Sequence, residues 1–152
     1  MDRQNLKTLY LDICTLCRPF DDQSLLRIRL ETDAYYLIVQ ALQDKKYSMV
    51  VSPVHIEEAS AIRDVEERRE ILAILEKLGT AVECDMAAAR ARGEYLHSRK
   101  FGIADAAHVA FAEAIADVFI TCDDRLVRKC RREKVGVVTV NPVEFTMAED
   151  LK

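Results

Sequence analysis

Short apolar runs alternate with longer stretches of helical periodicity along almost the whole chain, and this alternation limits the possible folds more than any other feature. Residues 8–13 (TLYLDI), 47–52 (YSMVVS), 81–84 (AVEC), 118–121 (VFIT) and 135–140 (VGVVTV) are strand-like, brief and mostly apolar. Between them lie segments with helix signals. Residues 25–43 carry Leu26, Leu30, Ala34, Leu37, Ile38, Ala41 and Leu42 at helical spacing, predicting a buried stripe with Ser24 as the cap. Ser52-Pro53 sets a cap residue before a proline at the first helical position, and a helical hairpin follows through Leu78, closed by Gly79.

Asp85 caps a helix to about residue 99, and Gly102 separates it from an Ala-rich helix over 103–116 with Ile103, Ala107, Ala110, Phe111 and Ala114 on one side. Residues 124–134 form another helix, and a short helix ends the chain. Strands that alternate with helices, each strand too apolar for a half-exposed hairpin, predict an α/β fold: a mostly parallel sheet of about five strands with helices on both faces. With 152 residues, half of them apolar, four glycines, three prolines and no repeat, the chain is predicted to form a single domain over 1–152.

Composition narrows the setting. No apolar run approaches the ~20 residues that span a bilayer, and Asp2 and Arg3 follow Met1 where a signal peptide would build its apolar core, so a cytoplasmic protein with no membrane partner is expected. The five cysteines are odd in number and lie in core-like stretches, which predicts reduced thiols. Cys14-x-x-Cys17 has half the spacing of a zinc or redox site and lacks a second close pair. A net charge of −4 provides no global field for nucleic acid, so any such binding must use a local basic face.

Ligands of open α/β sheets bind beyond the carboxyl ends of the strands, and the residues in those positions here are acidic. Asp12 ends the first run, Glu57 and Glu58 follow the second, Asp105 opens the Ala-rich helix, and Asp123 lies two residues beyond Thr121. Carboxylates converging from four segments repel one another unless cations neutralise them, and hard oxygen donors suit Mg²⁺ or Mn²⁺. Taken singly, Asp105 and Asp123 also serve as ordinary helix caps and Asp12 as a strand-end residue. Asp12 is the hardest to set aside, because a carboxylate within an apolar run needs a cation or several hydrogen bonds.

The stretches Tyr10-Leu11-Asp12, Ser52-Pro53-Val54-His55-Ile56-Glu57-Glu58, Asp105-Ala106-Ala107-His108-Val109-Ala110-Phe111-Ala112 and Thr121-Cys122-Asp123-Asp124-Arg125-Leu126 resemble, in order, the four motifs of the PIN-domain family. Within that family the chain is most similar to the VapC-type toxins of toxin–antitoxin pairs. The resemblance implies metal-assisted hydrolysis of RNA phosphodiester bonds, with Asp12, Glu58, Asp105 and Asp123 holding Mg²⁺ or Mn²⁺ and Thr121 orienting water or phosphate. Glu58 is preferred because the family's acid usually falls six positions after the serine that Ser52 matches, with Glu57 the close alternative. Cys14 departs from the Asn or Ser that the family often carries there.

The resemblance further implies a cognate antitoxin and a homodimer, for which the chain itself offers only Tyr35-Tyr36 and the apolar surplus of the first long helix. Arg125, Arg128, Lys129, Arg131, Arg132 and Lys134, with Arg90, Arg92, Arg99 and Lys100, are candidates for tracking phosphates, or else solvated helix faces near C-termini. Arg18, just after Asp12, is the cation most expected to touch substrate, while His55 and His108 flank the acidic motifs as packed or substrate-facing histidines. A response-regulator receiver would need Lys-Pro where the chain has Asn141-Pro142, and a haloacid-dehalogenase-type phosphatase would need Asp at Cys14. The rival from another class is an inactive PIN-like protein acting as a partner-binding module.

Overall fold

The structure, a computed structural model, describes residues 6–152; the reading of Met1 to Arg3 as no signal-peptide start lies outside them. Five strands form one sheet in the order β3-β2-β1-β4-β5: β1 Thr8–Leu11, β2 Ser48–Val51, β3 Gly79–Ala81, β4 Val118–Ile120 and β5 Val138–Val140. Every neighbouring pair is parallel, with Leu9 opposite both Met49 and Val118. The helices are α1 Ile13–Leu16, α2 Leu26–Gln43, α3 Pro53–Ser60, α4 Val65–Leu78, α5 Met86–Ser98, α6 Ile103–Ile115, α7 Asp124–Arg132 and α8 Pro142–Ala148. The α/β fold with a parallel sheet of five strands is as predicted.

Strand alternation builds a core on each face of the sheet. Leu9, Leu11, Met49, Val51, Val118 and Ile120 point to one side, where α2, α4 and α8 bury Tyr35, Ile38, Leu42, Ile71, Leu75 and Phe145. Tyr10, Val50 and Phe119 point to the other, against Leu96, Phe101, Val109, Phe111, Ala112 and Leu126 of α5, α6, α7 and their connections.

Several boundaries differ from the sequence-based expectation, each for a local reason. The first strand stops at Leu11 rather than residue 13, because the Asp12 side chain accepts the Ile13 N–H and caps α1. Ser24 does not cap α2; its N–H and hydroxyl both donate to Asp22 Oδ1 at 3.0 and 2.7 Å, and the helix starts at Leu26. The third strand is Gly79–Ala81, not 81–84: a Cβ at residue 79 would overlap Val51 Cγ2 and the Leu75 carbonyl, so glycine lets the chain leave α4 and pair with β2 at once. The fifth strand is Val138–Val140, not 135–140, since α7 ends at Arg132, Lys134 takes a positive φ of 51° and Val135 N–H turns back to the Cys130 carbonyl.

Two helical stripes hold only in part. On α2 Ala34, Ile38, Ala41 and Leu42 are buried as predicted, but Leu26 and Leu30 are exposed, and the buried Glu31 is paired with Arg18. On α6 Ile103, 76% exposed, and Ala114 face solvent, while Ala106, Val109, Ala110, Phe111 and Ala112 are buried. Tyr35 packs in the core, so only Tyr36 of the aromatic pair is exposed. Among the described residues no helix is long and apolar enough to cross a membrane.

Candidate active site

The sheet order places β1 beside β4 at the point where the chain's connections diverge, which is where open α/β sheets leave a crevice. Asp12 leaves the end of β1 there and Thr121 to Asp123 leave the end of β4. Asp12 is only 5% exposed, and its carboxylate is held on both oxygens. Oδ1 accepts the Ile13 N–H at 2.8 Å, while Oδ2 accepts the Thr121 hydroxyl at 2.8 Å and the Cys14 thiol at 3.3 Å. The Thr121 hydroxyl oxygen in turn accepts the Asp123 N–H at 3.1 Å, so one side chain ties two of the candidate carboxylate segments together. Asp123 Oδ1 also caps α7, accepting from the N–H groups of Arg125 and Leu126.

Asp105 reaches this edge from the first turn of α6, as its place in the sequence predicted. Burial, then the negative charges of Asp12 and Asp123, pushes its carboxyl up to about 6, against the partial relief that His108 and Lys129 offer. Cys14 lies in the same field: the neighbouring Cys122 thiol, burial and the charge of Asp12 raise its thiol well above the ordinary range. The segments of Asp12 and Asp123 are joined through Thr121, and their charges reach Asp105.

Glu58 joins the group through histidine. His108, one helical turn beyond Asp105, lies with Nε2 2.9 Å from Glu58 Oε1 and 3.9 Å from Asp12 Oδ1. That hydrogen bond holds the Glu58 carboxyl below its usual range. Burial lowers the pKa of His108, but Glu58, Asp12 and Asp105 outweigh it and leave the imidazole raised. Glu57, the close alternative, is exposed, whereas Glu58 is the glutamate bonded to His108.

Sequence reasoning did not single out Tyr10 or the full part played by Ser52. The Tyr10 hydroxyl, on the opposite face of β1 from Leu9 and Leu11, is 2.6 Å from His108 Nδ1 and 2.7 Å from Ser52 Oγ. With His108 neutral the donors form one chain: Ser52 hydroxyl to Tyr10, Tyr10 hydroxyl to Nδ1, and Nε2–H to Glu58. His55 supports it from behind. Its Nδ1 accepts the Ser52 N–H at 3.0 Å and its Nε2–H donates to the Leu11 carbonyl at 2.6 Å, and burial lowers its pKa to about 4, so it stays neutral. The available signal was a phenol two residues before Asp12 in a strand whose neighbours are leucines.

The candidate cations are less free than the sequence implied. Arg18 donates from Nε and Nη2 to Glu31 Oε1 and from Nη1 to Asp21. Arg131 is paired with Glu144, Arg92 with Glu113, Arg90 with Glu94, and Arg99 and Arg132 share Glu133. Arg125 and Arg128 have no ion-pair partner among the described residues, and both are exposed.

The donor set at the edge is all carboxylate oxygen, the chemistry of Mg²⁺ or Mn²⁺, and the strained ionisation of Asp105 is what a cation there would relieve. The residues therefore fit such an ion in donor type and charge. As they stand, no three His, Cys, Asp or Glu side chains among the described residues are placed to hold one.

No protein-family profile matches the chain, and no curated protein sequence is similar to it. Solved structures are similar to it in fold, among them the following two. One is VapBC2 from Rickettsia felis bound to a DNA fragment from their promoter, at a TM-score of 0.55 and 14% identity, over 88% of this chain and 98% of that one. The other is FitAcB from Neisseria gonorrhoeae, at a TM-score of 0.51 and 15% identity, over 88% of this chain and 97% of that one. At such identities the likeness shows the fold, a PIN-like α/β arrangement.

Proposed function

We propose that the chain is a Mg²⁺- or Mn²⁺-dependent endoribonuclease, acting in the cytoplasm as the toxin of a toxin–antitoxin pair. The observation that carries this reading is geometric: at the switch point of a PIN-like sheet the Thr121 hydroxyl joins buried Asp12 to the Asp123 backbone and His108 links Glu58 to them, while burial and the charges of Asp12 and Asp123 raise the Asp105 carboxyl. A fold gains no stability from gathering charges it does not neutralise, so the cluster is best explained by a cationic ligand. Likeness in fold to VapBC2 and FitAcB supports the toxin assignment and, with it, a cognate antitoxin partner; the homodimer is proposed on the PIN-family resemblance of the sequence.

Asp12, Glu58, Asp105 and Asp123 would hold the ion. When bound, the divalent cation neutralises the cluster and acts as a Lewis acid toward the phosphodiester. The protein's part is positioning: Thr121 and the Ile13 N–H fix the Asp12 carboxylate, the α7 N-terminus fixes Asp123, and His108 fixes Glu58.

The test is purified protein with mixed single-stranded RNAs in Mn²⁺ or Mg²⁺, beside EDTA and an Asp105→Asn control. Cleavage that requires the metal and disappears in the variant supports the reading. Intact RNA with no binding of divalent cation favours the alternative, a partner-binding module on a PIN-like fold, whose supporting observation is that no three side chains are set for a metal as they stand.

A further inference from the structure

Beside the acidic edge lies a cleft of about 500 Å³ between the N-terminal end of α2 and α7. Arg18, Arg27, Arg125 and Arg128 line it, against the carboxylates of Asp123 and Asp124. The chain as a whole is acidic, so four guanidinium groups around one cleft stand out from the average surface. Asp123 belongs both to this wall and to the candidate cation site, so a ligand in the cleft abuts the acidic cluster.

The four arginines differ in what they can offer. Arg18 is held on Glu31 and Asp21. Arg27 bonds Glu31 through Nε and grips Asp124 with both terminal nitrogens, at 2.7 and 2.8 Å. That two-point grip is the geometry with which a guanidinium binds a phosphate, so Asp124 occupies the position an incoming phosphate would compete for. Arg125 and Arg128 have no ion-pair partner among the described residues and reach the cleft from one helix face, three positions apart. Apart from the chain's polar groups the lining offers Leu25, Ile28 and Cys122, with no aromatic side chain on which a base could stack.

We propose that this arginine-lined cleft is a subsite for the phosphodiester backbone of single-stranded RNA adjacent to the acidic edge, with Arg125 and Arg128 as its free cations and Arg27 released to it from Asp124. The proposal rests on the ribonuclease reading above and adds which surface carries the strand. Contacts of this kind go to phosphate rather than to base edges, so affinity depends on salt and not on sequence.

The experiment measures fluorescence anisotropy of a labelled single-stranded RNA of mixed sequence in EDTA, over a salt series, with melting curves confirming that each variant folds. Removing two phosphate contacts in Arg125→Ala/Arg128→Ala is expected to weaken binding about tenfold and to lower the salt slope by about 1.4. Arg63→Ala/Arg69→Ala, which removes the same charge from exposed positions around α4, leaves both unchanged. Asp124→Asn, which frees the Arg27 grip, tightens binding. Equal losses in the two double variants, no loss in either, or weaker binding by Asp124→Asn would overturn the subsite. A protein that cleaves RNA in Mn²⁺ while Arg125→Ala/Arg128→Ala keeps its KM and affinity retains the nuclease reading and loses the subsite. One that neither binds nor cleaves RNA loses both.

Discussion

Replacing Asp105 by Asn should make the metal-free protein more stable at neutral pH, although it removes a residue assigned to the site. Asp105 titrates near 6 in the folded chain against an ordinary 3.8. The folded state therefore binds this proton more tightly than the unfolded state. The resulting stabilisation is fully present below about pH 4 and is lost as pH rises through about 6. At pH 7.5 the ionised carboxylate is a liability of at most roughly 3 kcal/mol, reduced to about 1 kcal/mol by the water that reaches a half-buried group. Asn keeps the shape and removes the charge. In EDTA at pH 7.5 Asp105→Asn should melt about 2–4 °C above the wild type, with the gap falling to roughly half at pH 5 as the wild-type carboxyl takes up its proton. Differential scanning calorimetry across pH 5–8 measures this directly. A variant that melts at or below the wild type at pH 7.5 would refute the claim that burial and the charges of Asp12 and Asp123 disfavour this carboxylate.

Millimolar Mn²⁺ should raise the wild-type melting temperature at pH 7.5 and raise that of Asp105→Asn much less; an equal rise in both would place the bound ion elsewhere. Tyr10→Phe strands buried His108 Nδ1 and Ser52 Oγ and should cost about 3 kcal/mol, seen as a fall in the urea midpoint, whereas a loss below about 1 kcal/mol would show that the relay is not made. Gly79→Ala forces a methyl into Val51 and the Leu75 carbonyl and should cost about 2 kcal/mol by chemical denaturation, with a neutral result arguing that β3 can shift. His55, neutral in the fold with a pKa near 4, should contribute stability that is present above about pH 6.5 and lost as pH falls toward 4; NMR titration of its ring would show no protonation at pH 6.

The pattern of strands and helices was legible because each strand is a compact apolar run and most helices carry their own start signal: Asp85 caps α5, Pro53 follows the Ser52 cap of α3, and Asp123 caps α7. The acids were legible for the same reason, since a carboxylate just beyond a strand end has a place in any parallel α/β sheet. What escaped notice depended on contacts between distant segments. Motif spacing favoured Glu58 over Glu57 but could not show its hydrogen bond with His108, fifty residues further along. Leu26, Leu30 and Ile103 looked like core positions and are exposed, because the first turns of α2 and α6 extend past the elements that cover the rest of each stripe, a matter of packing that periodicity does not carry.

The amino-acid sequence by itself determined the α/β class, the parallel sheet and the four acid-bearing segments, because burial patterns and caps act over a few residues and need no knowledge of neighbours. Only the tertiary structure decided that β1 and β4 lie side by side, that the Thr121 hydroxyl joins Asp12 to the Asp123 backbone, and that Tyr10, Ser52 and His108 form one buried relay ending on Glu58. It also decided which cations are spent on intramolecular carboxylates and which face the cleft. Hydrogen bonds and ion pairs act over a few ångströms in space regardless of separation along the chain, so their partners are set by how the sheet is ordered and the helices are packed.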